Sequence, residues 1–187
     1  EGLSVADRPD PSQAPHFRAV ALEDMVRAGL TRASTLTRDH RLLVELPPDI
    51  TSLAVDPASV AEVIYILLDN ASKYSPAGTT IRLLGARDDD RRARVTIIDE
   101  GPGIAPELRE RVFEKFFRIP GRDPVDSRLP RGIGLGLSIA RRLVEAQRGD
   151  ISVGSAPSGH GTAVTMTLPL APPARDEEPS ASVAAAS

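Results

Sequence analysis

Apolar residues return every three to four positions through Val60, Val63, Ile64, Leu67, Leu68 and Ala71, the spacing of one helical face. Asp56 and Pro57 stand just ahead of this stripe. Aspartate is a good N-cap and proline is favoured at the first helical position, so the helix starts there. Tyr74-Ser75-Pro76-Ala77-Gly78 ends it. A different face of the same helix carries Glu62, Ile66, Asn70 and Lys73. A shorter stripe, Leu22, Met25, Val26 and Leu30, predicts a helix over 22–33. A third, Leu137, Ala140, Leu143, Val144 and Gln147, follows the glycine run Gly132-Ile133-Gly134-Leu135-Gly136.

Between these stripes the pattern turns extended. Strands are expected at Phe17–Val20, at Arg41–Leu46 before Pro47-Pro48, and at Ser52–Val55. Thr79–Arg87 and Arg92–Asp99 read as two strands around a triple-aspartate turn. Ile151–Ser155 and Thr162–Leu168 form a closing hairpin through Pro157-Ser158-Gly159-His160-Gly161. Pro106–Phe117 predicts a short helix, and Arg118–Arg131, rich in Pro, Gly, Arg and Asp, reads as a mobile loop. Residues 1–15 read as a linker from an upstream domain, 16–170 as one domain and 171–187 as a disordered tail. There is no internal repeat.

Composition narrows the picture. A chain of 187 residues suits one domain with tails. Aromatics are only 3%, so the core must be aliphatic, yet three of the four Phe fall together at Phe113, Phe116 and Phe117. With no cysteine, neither disulfides nor thiolate metal sites are possible. A net charge of -3 and a pI near 5.7 argue against a nucleic-acid surface. No apolar run is long enough to cross a bilayer and no signal peptide is visible. The first residue is Glu1 rather than methionine, which we read as a piece of a longer chain.

Several stretches carry candidate chemistry. The glycine run lets the backbone bend and approach a ligand, and the helix behind it points unpaired N–H groups and the positive end of its dipole back at the loop. Together they suit a phosphate, although the same residues would also make a flexible loop before an ordinary helix. Asn70 and Lys73, three apart, share a helical face. An amide oxygen suits Mg²⁺ and an ammonium suits a phosphate; a solvated polar face is the plainer alternative. Asp99-Glu100-Gly101-Pro102-Gly103 follows a strand, where a fixed carboxylate can accept from an exocyclic amine and glycines admit a flat ring, or where a plain turn sits. The Phe trio suits the anchor of a lid, a satellite cluster under a long loop, or both. Gly159-His160-Gly161-Thr162 is a hairpin turn, and His160 alone is no sign of catalysis.

The order of these motifs resembles the ATP-binding domain of sensor histidine kinases: the N box on the Asn70 helix, a first glycine box at Asp99–Gly103, an F box at Phe113–Phe117, a second glycine box at Gly132–Gly136, and a third at Gly159–Thr162. The resemblance spans roughly Phe17 to Pro169. It implies the two-layer α/β sandwich shared with DNA gyrase, heat-shock chaperone and mismatch-repair ATPases, a mixed, largely antiparallel sheet covered on one face by helices. By the same resemblance Asn70 holds Mg²⁺, Lys73 and Arg118 meet phosphates, and Tyr74 lies beside the adenine. Asp99 accepts from the adenine amine, Gly101 and Gly103 line the base pocket, and Ile104 and Phe117 are among the nucleotide-binding residues. Gly132, Gly134 and Gly136, with the Leu135 and Leu137 amides, wrap the triphosphate, and Thr162 closes the base pocket. Asn70, Lys73 and Arg118 are the implied catalytic residues, with ATP and Mg²⁺ as cofactors.

The implied function is transfer of the γ-phosphoryl group to a histidine on a separate dimerisation and phosphoacceptor domain. The implied partners are that upstream domain and a response regulator, with no nucleic acid and no direct membrane contact. The implied location is the cytoplasm, whether or not the parent is anchored in the inner membrane. His16, His40 and His160 lack the acidic-Leu-Arg-x-Pro pattern of the family's phosphoacceptor. One departure is Ile66, where the family usually has a second asparagine a turn before the metal-binding one. Two other functions fit the same fold: an anti-sigma-factor-type serine kinase, which the Phe motif disfavours, and a nucleotide-binding regulatory module without transfer, which Ile66 favours.

Overall fold

The structure, a computed structural model, describes residues 16–48, 50, 52–121 and 133–172. The expected linker at 1–15, the tail from 173, Gly132 and the greater part of the expected loop at 118–131 lie outside the described residues.

The chain runs β1 (Arg18–Val20), α1 (Leu22–Ala33), β2 (Arg41–Glu45), β3 (Leu53–Val55), α2 (Pro57–Tyr74), β4 (Thr80–Arg87), β5 (Arg92–Ile98), α3 (Gly136–Ala146), β6 (Asp150–Ser155) and β7 (Thr162–Pro169). Five strands form one sheet in the order β2-β4-β5-β7-β6. β2 pairs parallel to β4, and every other neighbour in that sheet is antiparallel. β1 and β3 make a separate two-stranded sheet, tied to the main chain end by an isolated bridge from Leu53 to Leu170.

Strand alternation decides which side the helices cover. Ile81, Leu83, Ala93, Val95, Ile97, Val164, Met166 and Leu168 point to one face and are buried. The alternate positions put Arg82, Arg94, Thr96 and Thr165 on the other face, where Thr96 and Thr165 hydroxyls meet at 3.1 Å and Arg82 pairs with Glu45 at 3.3 Å. Period-two burial of this kind needs an apolar layer on one side only. The helices supply it. Met25 and Val26 of α1, Val60, Val63, Ile64, Leu67 and Leu68 of α2, and Ala140 and Val144 of α3 join the strand residues in a single core. α2 begins as its sequence predicts, with Asp56 as N-cap accepting from the Ser59 N–H at 3.2 Å and Pro57 in the first turn.

One expectation fails. Pro106–Phe117 is not a helix but two short 3-10 turns, Pro106–Leu108 and Arg111–Phe113. Side-chain anchors outweigh local helix propensity here. Arg109 leaves the segment to reach the Ile104 carbonyl and Ser155, Glu114 is extended, and Phe116 takes φ 65, where a helix cannot continue. The Phe trio is therefore split. Phe113 is buried, Phe117 is half-buried under the Arg111 guanidinium at 4.4 Å, and Phe116 is 69% exposed.

Candidate functional site

Three stretches converge above the helical side of the sheet. The first is the last turn of α2. Its stripe of apolar residues fixes the helix on the core, which leaves Asp69, Asn70, Lys73 and Tyr74 facing a cavity of about 280 Å³. Lys73 Nζ lies 2.5 Å from Asp69 Oδ2, an (i, i+4) pair with both side chains mostly covered. Asn70 Nδ2 is buried and has no hydrogen-bond partner.

The second stretch follows β5, a central strand. β5 ends at Ile98, so Asp99 is the first residue beyond it and is held almost immobile. Its backbone N–H bonds Thr162 O at 2.9 Å, and its Oδ1 accepts from Gly101 N–H at 2.8 Å and Thr162 N–H at 3.2 Å. The residue is only 8% exposed. Gly161 makes this possible: at φ +105, a Cβ there would stand 1.9 Å from the Asp99 carbonyl oxygen.

The third stretch is the start of α3. Gly134 has φ +76, and a Cβ on it would meet the Phe116 carbonyl carbon at 2.8 Å. Its own carbonyl accepts from the Phe116 N–H at 2.9 Å, which closes the base of the intervening loop. Gly136 opens the helix facing Asn70, with its Cβ direction 3.6 Å from Asn70 Nδ2 and 3.4 Å from Ile66 Cγ2. Ile66 thus packs in the core beneath the first residue of α3.

The cavity brings together Asn70, Lys73, Tyr74, Asp99, Ile104, Phe117, Arg118, Gly134, Leu135, Gly136, Leu137 and Thr162 from the sequence-derived set. Gly101 and Gly103 are not in its wall. A Cβ at Gly101 would meet the Tyr74 carbonyl oxygen at 2.7 Å, and one at Gly103, φ +72, would meet Gly161 O at 3.1 Å. Their small size serves the packing of neighbouring backbone. Gly132 lies outside the described residues. Asp69 is not singled out by the sequence, and Gly161, although part of the third glycine motif, is not marked there as the packing partner of Asp99. The (i, i+4) spacing of Asp69 and Lys73 was a usable signal for the first, whereas nothing local marks the contact of Gly161 with Asp99.

The wall of this cavity includes the apolar side chains of Ile104, Val112, Phe117 and Ile119 as well as the buried Asp99 carboxylate. The same wall carries Asn70, Lys73 and the N-terminus of α3. An apolar slot with one fixed acceptor suits a flat heterocycle bearing an amine, and the helix N-terminus beside an ammonium suits phosphate. For a divalent ion, Asn70 and Asp69 offer side-chain oxygens beside Lys73, and no group of three or more His, Cys, Asp or Glu able to hold a metal occurs among the described residues. Mg²⁺ is commonly held by one or two protein oxygens with the rest from phosphates and water, so the donor set fits an ion that arrives with its phosphates.

The sequence profile of the family described as histidine kinase-, DNA gyrase B-, and HSP90-like ATPase matches residues 55–172. The adaptive-response sensory kinase SasA of Trichormus variabilis is 36% identical over 144 residues, covering 77% of this chain and 34% of that protein. The chain thus spans about a third of the length of this curated relative. Among solved structures, the mycobacterial sensor histidine kinase MprB superposes with a TM-score of 0.71 at 30% identity, covering 83% of this chain and 99% of that one. Full-length ShkA in complex with AMPPNP superposes with a TM-score of 0.68 at 26% identity, over 83% of this chain and 31% of that one.

Proposed function

Because the chain belongs to the family of histidine kinase-, DNA gyrase B- and HSP90-like ATPases, we propose that it binds ATP and serves as the catalytic domain of a two-component sensor histidine kinase. In this reading it transfers the γ-phosphoryl group to a histidine on a separate phosphoacceptor domain, and a response regulator receives it next. The observation that carries the reading is the pairing, in one cavity, of the buried Asp99 acceptor with the Gly134–Leu137 entry to α3 opposite Asn70 and Lys73.

Each group then has a task that its chemistry allows. Asp99 accepts from the adenine amine while Oδ1 stays bonded to two backbone N–H groups, so the carboxylate does not have to reorganise. Ile104 and Phe117 give the ring an apolar, water-poor slot. The amides at the start of α3 and the Lys73 ammonium hold and neutralise phosphate oxygens, and Arg118 stands at the rim beside them. Phosphoryl transfer asks the protein mainly for positioning and charge neutralisation, which accords with a site lacking a histidine base. Mg²⁺, when bound, supplies charge neutralisation at the phosphates, and Asn70 is the residue we assign to hold it. His40 is committed elsewhere, with its ring nitrogens near the Ser72 carbonyl and the Thr79 hydroxyl.

Ile66 supports a second reading, a nucleotide-binding regulatory module that transfers nothing, because an isoleucine packed under Gly136 can neither ligate an ion nor hold its water. No helix among the described residues is long and apolar enough to cross a membrane. The test is to mix the chain with a separate histidine-hairpin domain and labelled ATP. Acid-labile label on the hairpin is expected. Acid-stable label would point to a serine kinase, and ATP bound without transfer would point to the regulatory module.

A further inference from the structure

We propose that Gln147, at the far end of α3 from the cavity, is a positioning residue for the phosphate end of the nucleotide; this inference rests on the ATP-binding reading above. Gln147 is 1% exposed and caps the C-terminus of α3. Its side-chain Oε1 accepts from the backbone N–H of Asp56 at 2.8 Å, across 91 residues of chain. Asp56 is the N-cap of α2. One amide therefore fastens the end of α3 to the beginning of α2.

The other ends of the same two helices build the phosphate side of the cavity. Gly136 opens α3 directly against Asn70 and Ile66 on α2. The two helices pack against each other through the shared core, and two polar or close contacts bracket that packing, Gly136 on Asn70 at one end and Gln147 on Asp56 at the other. From Asp56 to Asn70 is 14 positions, roughly 21 Å of helix. A helix is stiff over that length, so releasing α3 at Gln147 lets its first turn slide or tilt against Asn70 and Lys73. Backbone amides that hold phosphate tolerate little displacement, and misplacement by about an ångström is felt. The floor that holds the base stands on other elements, since Asp99 follows β5 and Thr162 opens β7.

A purely packing role explains Gln147 poorly. Its Nε2 is buried without a partner, a burden that a methionine of similar shape would not carry. What the amide adds is a directed link between the two helices.

The positioning role predicts a loss confined to phosphate-bearing ligands. In Gln147→Met the dissociation constant for ATP should rise about five- to tenfold, the size of one lost hydrogen bond, while that for adenosine stays within about twofold. Equal losses for both ligands, or no loss for ATP, would overturn the inference while leaving the nucleotide reading intact. The wild-type chain gives a second measurement that needs no variant. Coupling is reciprocal, so ATP should slow hydrogen exchange at the Asp56 amide and adenosine should not. Unchanged exchange at Asp56 with ATP bound would also overturn it. A wild-type chain that binds no ATP at all would remove the nucleotide reading, and the inference with it.

Discussion

The floor of the cavity and its rim are built in opposite ways. At the floor, Asp99 is bonded through both backbone and side chain to Thr162 and Gly101, and Gly161 is packed so closely against it that no side chain fits. At the rim, Phe116 is exposed with φ 65, and Gly134 holds the loop base through a single backbone bond to it. The floor is fixed by mutually supporting hydrogen bonds, whereas the rim carries a left-handed Phe116 backbone packed closely against Gly134. A fixed acceptor discriminates between bases because it cannot adapt to the wrong one. A strained backbone at an exposed rim is a place where ligand entry and release can draw on stored strain.

Substitutions can break this contrast, and the largest effect is expected at the floor. Gly161→Ala would drive a Cβ into the Asp99 carbonyl at a backbone angle alanine avoids, and should cost more than about 3 kcal/mol of stability by strain and overpacking together. Urea unfolding would read it, and a midpoint shift under a quarter of that size would mean the floor is softer than described. Asp99→Asn keeps an oxygen for the Gly101 and Thr162 N–H groups, so the fold should survive. ATP affinity should fall by about 1.5–3 kcal/mol, or ten- to hundredfold, with preference for ATP over GTP lost. Calorimetric titration giving equal ATP affinity in the two proteins would remove Asp99 from the site.

Gly134→Ala sharpens the comparison at the rim. The left-handed backbone should cost about 1–2 kcal/mol, and the Cβ would meet the Phe116 and Phe117 backbone at 2.8 Å rather than the 1.9 Å clash at Gly161, so the thermal midpoint should shift less than in Gly161→Ala. Equal shifts would erase the distinction between the two regions. The smallest effect is expected from Asp69→Asn. Its (i, i+4) pair with Lys73 lies on one helix and leaves the core and the sheet untouched, so unfolding should change by about 1 kcal/mol or less. Released from Asp69, Lys73 should bind phosphate more tightly at low salt, and ATP titrations at two ionic strengths would reveal a steeper salt dependence than in the wild type. Identical salt slopes would show that Asp69 does not restrain the lysine.

Much of this was legible in the sequence, and the exceptions share one cause. α1 and α2 announce themselves by apolar periodicity and by the Asp56-Pro57 cap, because a helix face is a local pattern. The hairpins are legible for the same reason. The Pro106–Phe117 segment was misread as a helix because its shape is set by distant anchors such as Arg109 on Ser155 and Arg141 over the Phe113 ring at 3.8 Å. The cavity's members were found as separate motifs, yet their spacing in the chain does not reveal that Gly101 and Gly103 serve the packing of backbone and stand outside its wall. Gly161 and Gln147 act on partners 62 and 91 residues away, at Asp99 and Asp56, and no local pattern encodes a contact of that range.

The placement of Asp99 and Thr162 also sets an order in time. Asp99 follows β5 at the open end of the β4–β5 hairpin and Thr162 opens the return strand of the β6–β7 hairpin, so each adjoins a unit with a short internal turn. Short loops close fast, and pairings between distant strands form late. The rung between Asp99 and Thr162 belongs to the β5–β7 seam, which forms only when the two finished hairpins meet. On the nucleotide-binding reading, the Asp99 acceptor should therefore be completed late in folding, when the two hairpins join. In a refolding experiment, far-ultraviolet ellipticity should recover ahead of the signal from a fluorescent adenine nucleotide, because a partly folded chain, however rich in strands, has nowhere to seat the ring.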